Sequence, residues 1–214
     1  MLKEINIFSC LDQEILADLQ RAAVRRRFQE NTVLFNKGDA SDSMYVITEG
    51  KVKAVLYNED GKEILLSIFG PGDYFGEIGM MDGQPRTASA VSKTPCQLLI
   101  LKKEDLDRII FYNAEISAKL LKQMLIKLRE ATVRIENLTF LNLYGRVINL
   151  LLQLADQKDG EKFFTEKLTH QEIANRVGAS REMVSKIMKE LTCGGYLEVS
   201  QHRIMIRKKL LATY

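Results

Sequence analysis

In the stretch FGEIGMMDGQPRTASAV, residues 75–91, an acid and a guanidinium stand nine positions apart, Glu77 and Arg86, and Thr87 follows the arginine directly. A guanidinium with a hydroxyl beside it can meet a small anion with directed donors. A short helix starting near Gly76 would add backbone N–H groups. The small residues around these groups leave room for a bound group. The plainer alternative is an internal salt bridge between Glu77 and Arg86.

A second group lies near the C-terminus, in LTHQEIANRVGASREMVSKIMKELTCGGYLEV, residues 168–199. Thr169 and Glu172 have capping-box spacing, so a helix should start there with Ile173, Ala174 and Val177 inward. Gly178 supplies a turn, and Ser180 caps a second helix whose buried side is expected to be Val184, Ile187 and Leu191. Arg181, Glu182, Ser185, Lys186 and Lys189 then face outward. An Arg fork can meet guanine O6 and N7 together and a Glu can accept from cytosine N4, so this face suits a DNA major groove. Lys186 can take a base or a phosphate. Ser200, Gln201, His202 and Arg203, between two short strand patterns, would hold phosphates, which position without specifying.

Elements must hold these groups in place. The 214 residues, 46% apolar and 28% charged, are enough for two modest folded domains. Residues 138–214 carry 12 Lys and Arg against 8 Asp and Glu, leaving 19 against 20 for residues 1–137, so the basic surplus sits with the DNA-facing pattern. Cys10, Cys96 and Cys193 are far apart, and neither His170 nor His202 has a second ligand type three or four positions after it. No metal site or disulfide framework is expected. No apolar run is long enough to cross a membrane and no secretory apolar core opens the chain, so a cytoplasmic protein is expected. Paired catalytic carboxylates and nucleophile–base patterns are missing, which argues against an enzyme.

Three regimes follow one another. Residues 12–24 form an amphipathic helix, with Ile15, Leu16, Leu19 and Ala23 on one side. From Thr32 to Leu101, short β-rich runs alternate with turns every eight to twelve residues, Asp60-Gly61 being the clearest hairpin signal. From Ala114 to Leu138 neither Gly nor Pro interrupts a helical pattern. Leu121, Met124, Leu128, Ala131, Ile135 and Leu138 make a narrow seam there, opposite a solvated face that includes Lys122 and Lys127. The seam fits a dimer helix; the alternative is packing on the chain's own β-domain. From Phe140 to Gly194 the pattern is mostly helical, and YLEVSQHRIMIR closes it as a hairpin.

FGEIGMMDGQPRTASAV resembles the phosphate-binding cassette of cyclic-nucleotide-binding domains, and SREMVSKIMKEL resembles the recognition helix of the CRP/FNR family of bacterial regulators. NLTFLNLYGRV, residues 137–147, is similar to that family's hinge, and the order of parts matches over essentially the whole chain. The resemblance implies an α+β fold: a jelly-roll cyclic-nucleotide-binding β-barrel over residues 1–112, a dimerisation helix over 113–138 and a winged helix-turn-helix over 139–214.

It also implies roles. Arg86 and Thr87 would take the cyclic phosphate of cAMP, Glu77 would accept from the ribose 2′-hydroxyl, and Gly76, Ile78 and Ala88 would line the ligand. Two adjacent hydroxyl residues read the adenine in that family; Ala131 and Thr132 occupy their positions here, so Thr132 alone keeps the group. Ser180, Arg181, Glu182, Ser185, Lys186, His202 and Arg203 would contact DNA. The whole would be a homodimer on a palindrome resembling TGTGA-N6-TCACA, with RNA polymerase as a further partner. An iron–sulfur or haem branch lacks its ligands. Alternatives are cGMP, cyclic di-GMP or no effector, and a module that regulates a protein partner.

Overall fold

The computed structural model describes residues 3, 5–158, 161–163, 168–200, 203–208 and 210. The chain divides into two compact units, Met1–Lys127 and Leu128–Tyr214, the division falling within one long helix.

The first unit is built on eight strands: β1 (Val24–Phe28), β2 (Val33–Phe35), β3 (Ser43–Glu49), β4 (Val52–Tyr57), β5 (Glu63–Phe69), β6 (Tyr74–Phe75), β7 (Ser89–Ser92) and β8 (Cys96–Lys102). They form two four-stranded antiparallel sheets, β1-β8-β3-β6 and β2-β7-β4-β5. One apolar cluster takes Ile47, Phe75 and Leu98 from the first sheet and Val52 and Ala90 from the second, so the sheets are packed face to face. Met44, Val46, Leu99 and Leu101 point the other way, against Leu16 and Leu19 of α1 (Gln13–Ala22), Leu106 of α3 (Lys103–Tyr112) and Ile116 and Leu120 of α4 (Ala114–Phe140). Strands β3 and β8 are thus covered on both faces, which is why MYVIT and CQLLIL are mostly apolar. Between β4 and β5 the chain turns at Gly61, whose φ of 75° a side chain would resist, and Gly61 N donates to Asn58 O at 3.0 Å.

Two strands depart from the sequence reading. The N-terminal helix, expected to reach Val24, ends at Ala22, and the arginines behind it belong to β1, paired from Val24↔Ile100 to Phe28↔Cys96. An edge strand needs only its backbone to pair, and charged side chains on it discourage pairing with another chain. Strand β6, within the cassette, is two residues held to Tyr45 and Val46 of β3.

The second unit holds α5 (Leu143–Leu154), β9 (Asp156–Lys158), β10 (Glu161–Phe163), α6 (His170–Val177), α7 (Arg181–Cys193), β11 (Leu197–Ser200) and β12 (Arg203–Ile206), with the strands in the order β11-β12-β10-β9. Asn142 caps α5 by accepting from Gly145 N at 2.9 Å. Val147, Ile148 and Leu151 of α5 pack with Ile173, Ala174 and Val177 of α6 and Val184, Met188 and Leu191 of α7. The paired strands β9 and β10 interrupt the mostly helical pattern expected from Phe140 to Gly194. Met188, four positions after Val184, is buried where Ile187 was expected; Ile187 lies at the stripe's edge, half-buried.

Candidate functional site

Arg86 is 4% exposed, yet among the described residues no carboxylate lies within ion-pair distance of it. Nη1 donates to Gly76 O at 2.6 Å and Nη2 donates to Ser43 Oγ at 3.1 Å. Ser43 passes its own proton toward Asp42 Oδ1 at 3.0 Å. The guanidinium carbon lies 4.3 Å from the Phe35 ring centre and 5.5 Å from that of Tyr45. Nε is buried and has no partner. Burial pushes the Arg86 pKa down, against the pull of Tyr45, Asp42, Glu77 and Asp39. A buried cation held by neutral acceptors, with a donor still free, is unfavourable unless an anion meets it.

Gly76 makes that grip possible. It caps α2 (Glu77–Asp82) at φ 85°, and a Cβ there would fall 2.6 Å from Arg86 Nη1. Around the guanidinium, Phe35, Phe69, Phe75, Gly76, Glu77, Ile78, Thr87, Ala88 and Lys127 line a cavity with about 440 Å³ of space, part of it open to solvent. All six sequence-named positions of the cassette, Gly76, Glu77, Ile78, Arg86, Thr87 and Ala88, are brought together there. Thr87 and Ile78 are exposed, and Glu77 is 1% exposed.

Lys127 is the residue that sequence reasoning missed. Assigned from its spacing to a solvated face, it is half-buried, and its Nζ lies 2.5 Å from Glu77 Oε1 and 5.7 and 5.8 Å from the ring centres of Phe69 and Tyr74. Glu77 therefore pairs with Lys127, and the salt bridge with Arg86 that the sequence allowed is not formed. The hydroxyl of Tyr74 is buried without a partner, and burial followed by the charge of Glu77 pushes its pKa up. Thr132, farther along α4, is exposed, and its hydroxyl donates back to Leu128 O at 2.9 Å.

In the second unit the helix-turn-helix is fixed at its caps. Thr169 and Glu172 form the reciprocal capping box, Gly178 ends α6 at φ 68°, and Ser180 Oγ accepts from Met183 N at 3.3 Å. Arg181, Glu182, Lys186 and Lys189 are exposed on α7. Ser185 is half-buried, and its Oγ lies 2.9 Å from His170 Nδ1. The amide N–H of Glu182 itself and the Ser180 hydroxyl hold the Glu182 carboxyl below its ordinary range. Of the wing, Arg203 begins β12, while Gln201 and His202 lie outside the described residues.

Comparison with known proteins identifies the two domains that carry these residues. Residues 25–113 match the family profile of the cyclic nucleotide-binding domain, and residues 145–211 match that of the Crp-like helix-turn-helix domain. The chain is 34% identical over 210 residues to the CRP-like cAMP-activated global transcriptional regulator of Mycobacterium tuberculosis, covering 96% of this chain and 94% of that protein. The protein belongs to the CRP/FNR family of transcriptional regulators. A CRP/FNR-family regulator of Thermus thermophilus superposes with a TM-score of 0.67 at 29% identity, covering 86% of this chain and 94% of that one. The c-di-GMP responsive regulator CLP of Xanthomonas campestris shares the fold, with a TM-score of 0.76, 23% identity, and coverage of 92% of this chain and 100% of that one. As a CRP/FNR regulator this is a DNA-binding protein of transcription with a cyclic-nucleotide-binding domain, and the family is not one of enzymes. Among the described residues no helix is long and apolar enough to cross a membrane, and no group of three or more His, Cys, Asp or Glu could hold a metal.

Proposed function

We propose that this CRP/FNR regulator is a cytoplasmic homodimer that takes cAMP at Arg86 and, so loaded, binds a palindromic DNA site resembling TGTGA-N6-TCACA. The observation that carries the reading is the buried Arg86 guanidinium with its unpartnered Nε. Arg86 and Thr87 take the cyclic phosphate, Glu77 accepts from the ribose 2′-hydroxyl, Gly76, Ile78 and Ala88 approach the ligand, and Thr132 meets the base from the dimer helix. Charge favours one phosphate: Arg86 and Lys127 against Glu77 leave a single positive charge at the cavity, which a cyclic mononucleotide cancels and a doubly charged cyclic dinucleotide overshoots.

Dimerisation is supported by the α4 seam: Leu121, Leu128, Ile135 and Leu138 are 61%, 63%, 65% and 57% exposed in the single chain. Residues 1–112 serve as the ligand domain, 113–138 as the dimer helix and 139–214 as the DNA domain. Ser180, Arg181, Glu182, Ser185, Lys186, His202 and Arg203 contact DNA, and RNA polymerase is the further partner. The nucleotide acts by binding the DNA-competent state more tightly, since equal affinity for both states shifts nothing.

Calorimetry of the full chain against cAMP, cGMP and cyclic di-GMP tests the reading. cAMP should bind tightest, and Arg86→Ala or Glu77→Ala should abolish cAMP-dependent retardation of a palindromic duplex. Full retention in both variants would reject the site. Binding to DNA without a steep fall in affinity as salt rises would instead favour a module that regulates a protein partner.

A further inference from the structure

We propose that His170 decides which base edge Ser185 reads; the inference rests on the DNA-reading role given to α7 above. His170 is the first residue of α6, Ser185 lies in the second turn of α7, and their side chains meet at 2.9 Å between Nδ1 and Oγ. Both are half-buried, and the frames that carry them are rigid. The capping box fixes the start of α6, Ser180 fixes the start of α7, and Ile173, Ala174, Val184 and Met188 lock the two helices through a common core. The nearby carboxylate, Glu172, is engaged elsewhere: its Oε2 accepts from Thr169 N at 3.0 Å and from Thr169 Oγ1 at 3.1 Å.

The chemistry follows from one hydrogen atom. A serine hydroxyl carries one donor and two lone pairs, so an unconstrained one serves either kind of base edge and discriminates weakly. The bond to His170 removes that freedom. When Ser185 donates to Nδ1, only lone pairs face outward, and these suit the amino groups of adenine and cytosine. Were Nδ1 the donor, Oγ would keep both its proton and one lone pair, and its choice of base edge would stay open. Only Ser185 donating to Nδ1 commits the hydroxyl to one class of base, and that is the arrangement proposed. His170 is thus a positioning residue for specificity, acting through a hydroxyl between Glu182 and Lys186 on the exposed face of the helix.

The test uses the full chain with cAMP present. A duplex is selected from a random pool by the wild-type protein, and binding is then measured to every single-base-pair variant of its half-site. Wild type should prefer amino-bearing bases, adenine or cytosine, at one position by about 2- to 10-fold, the range of one net hydrogen bond. Ser185→Ala should erase that preference, and His170→Leu should relax it at the same base pair and at no other. His170→Asn, which keeps a polar group at the δ position, should retain a preference there. Should His170→Leu fail to fold, His170→Ala carries the same comparison. A preference untouched by loss of the imidazole, a loss spread over the whole half-site, or no effect of Ser185→Ala would each overturn the proposal. Failure of wild type to select any sequence would instead reject the DNA-reading role itself.

Discussion

The cassette and the recognition helix both present an arginine for an anionic partner, but they hold it in opposite ways. Arg86 is buried, gripped by Gly76 and Ser43, flanked by two rings and left with its Nε unpartnered. Arg181 stands in solvent at the start of α7, with its helix fixed by caps and core and its own side chain exposed. A buried charge must be arranged before the ligand arrives, because the folded chain bears its desolvation at all times. An exposed charge remains hydrated until the partner displaces the water. The first site couples affinity to stability; the second separates them.

The sharpest way to break this contrast is Arg86→Ala. Loss of a buried, hydrogen-bonded charge opposite a phosphate should lower cAMP affinity by about 2–5 kcal/mol. Because the same change removes an uncompensated buried cation, the melting temperature of the ligand-free protein should hold or rise. A large fall in that temperature would mean that Arg86 is chiefly structural. Arg181→Ala comes next: it should lower discrimination at one base pair by about 1–3 kcal/mol, while stability moves by no more than about 0.5 kcal/mol. Competition binding and thermal melting check both halves, and a destabilised Arg181→Ala would remove the distinction between the two sites.

A smaller effect probes how the buried arginine is aimed. Ser43→Ala removes the acceptor of Nη2, and cAMP affinity should fall by about 0.5–1.5 kcal/mol, as for one neutral hydrogen bond. Ser43→Thr, which restores a hydroxyl, should recover most of it in calorimetry. An unchanged affinity in Ser43→Ala would show that Gly76 and the rings suffice to orient the guanidinium.

Legibility in the sequence tracks the same contrast. Glu77, Arg86 and Thr87, which line one cavity, stand close enough in the sequence to be singled out together. The turn chemistry of Asp60-Gly61, the caps Thr169 and Ser180 and the long Gly- and Pro-free α4 were likewise local signals. What escaped depends on distant contacts. Lys127 looks like any lysine on a solvated helix face until the fold brings it to Glu77, and no periodicity marks it. Ser43 and His170 are single polar residues whose partners lie on other elements. Strand β1 was hidden because three arginines gave an edge strand the look of a charge run. The paired strands β9 and β10 do leave a trace: Asp159-Gly160, in sequence between them, is a pair that favours tight turns, set between stretches of helical pattern.

The gentlest test concerns Glu182, beside Arg181 on the exposed helix. Its pKa is lowered by its own amide N–H and by the Ser180 hydroxyl, against desolvation, with the charge of Arg181 the smallest contribution. A carboxyl whose folded pKa is depressed adds stability that is fully present above its unfolded pKa and is lost as pH falls through the folded value. Because the group is fully exposed, that contribution should be slight. The charge itself should be plain: in a carboxyl-carbon NMR titration Glu182 should remain ionised after the other exposed glutamates have begun to protonate, so its capacity to accept from a cytosine amino group persists into mildly acidic buffer. Ser180→Ala removes one of the stabilising donors and should move the Glu182 midpoint upward. A midpoint indistinguishable from that of the other exposed glutamates would show that the start of α7 leaves its reading groups as free in solvent as any surface side chain.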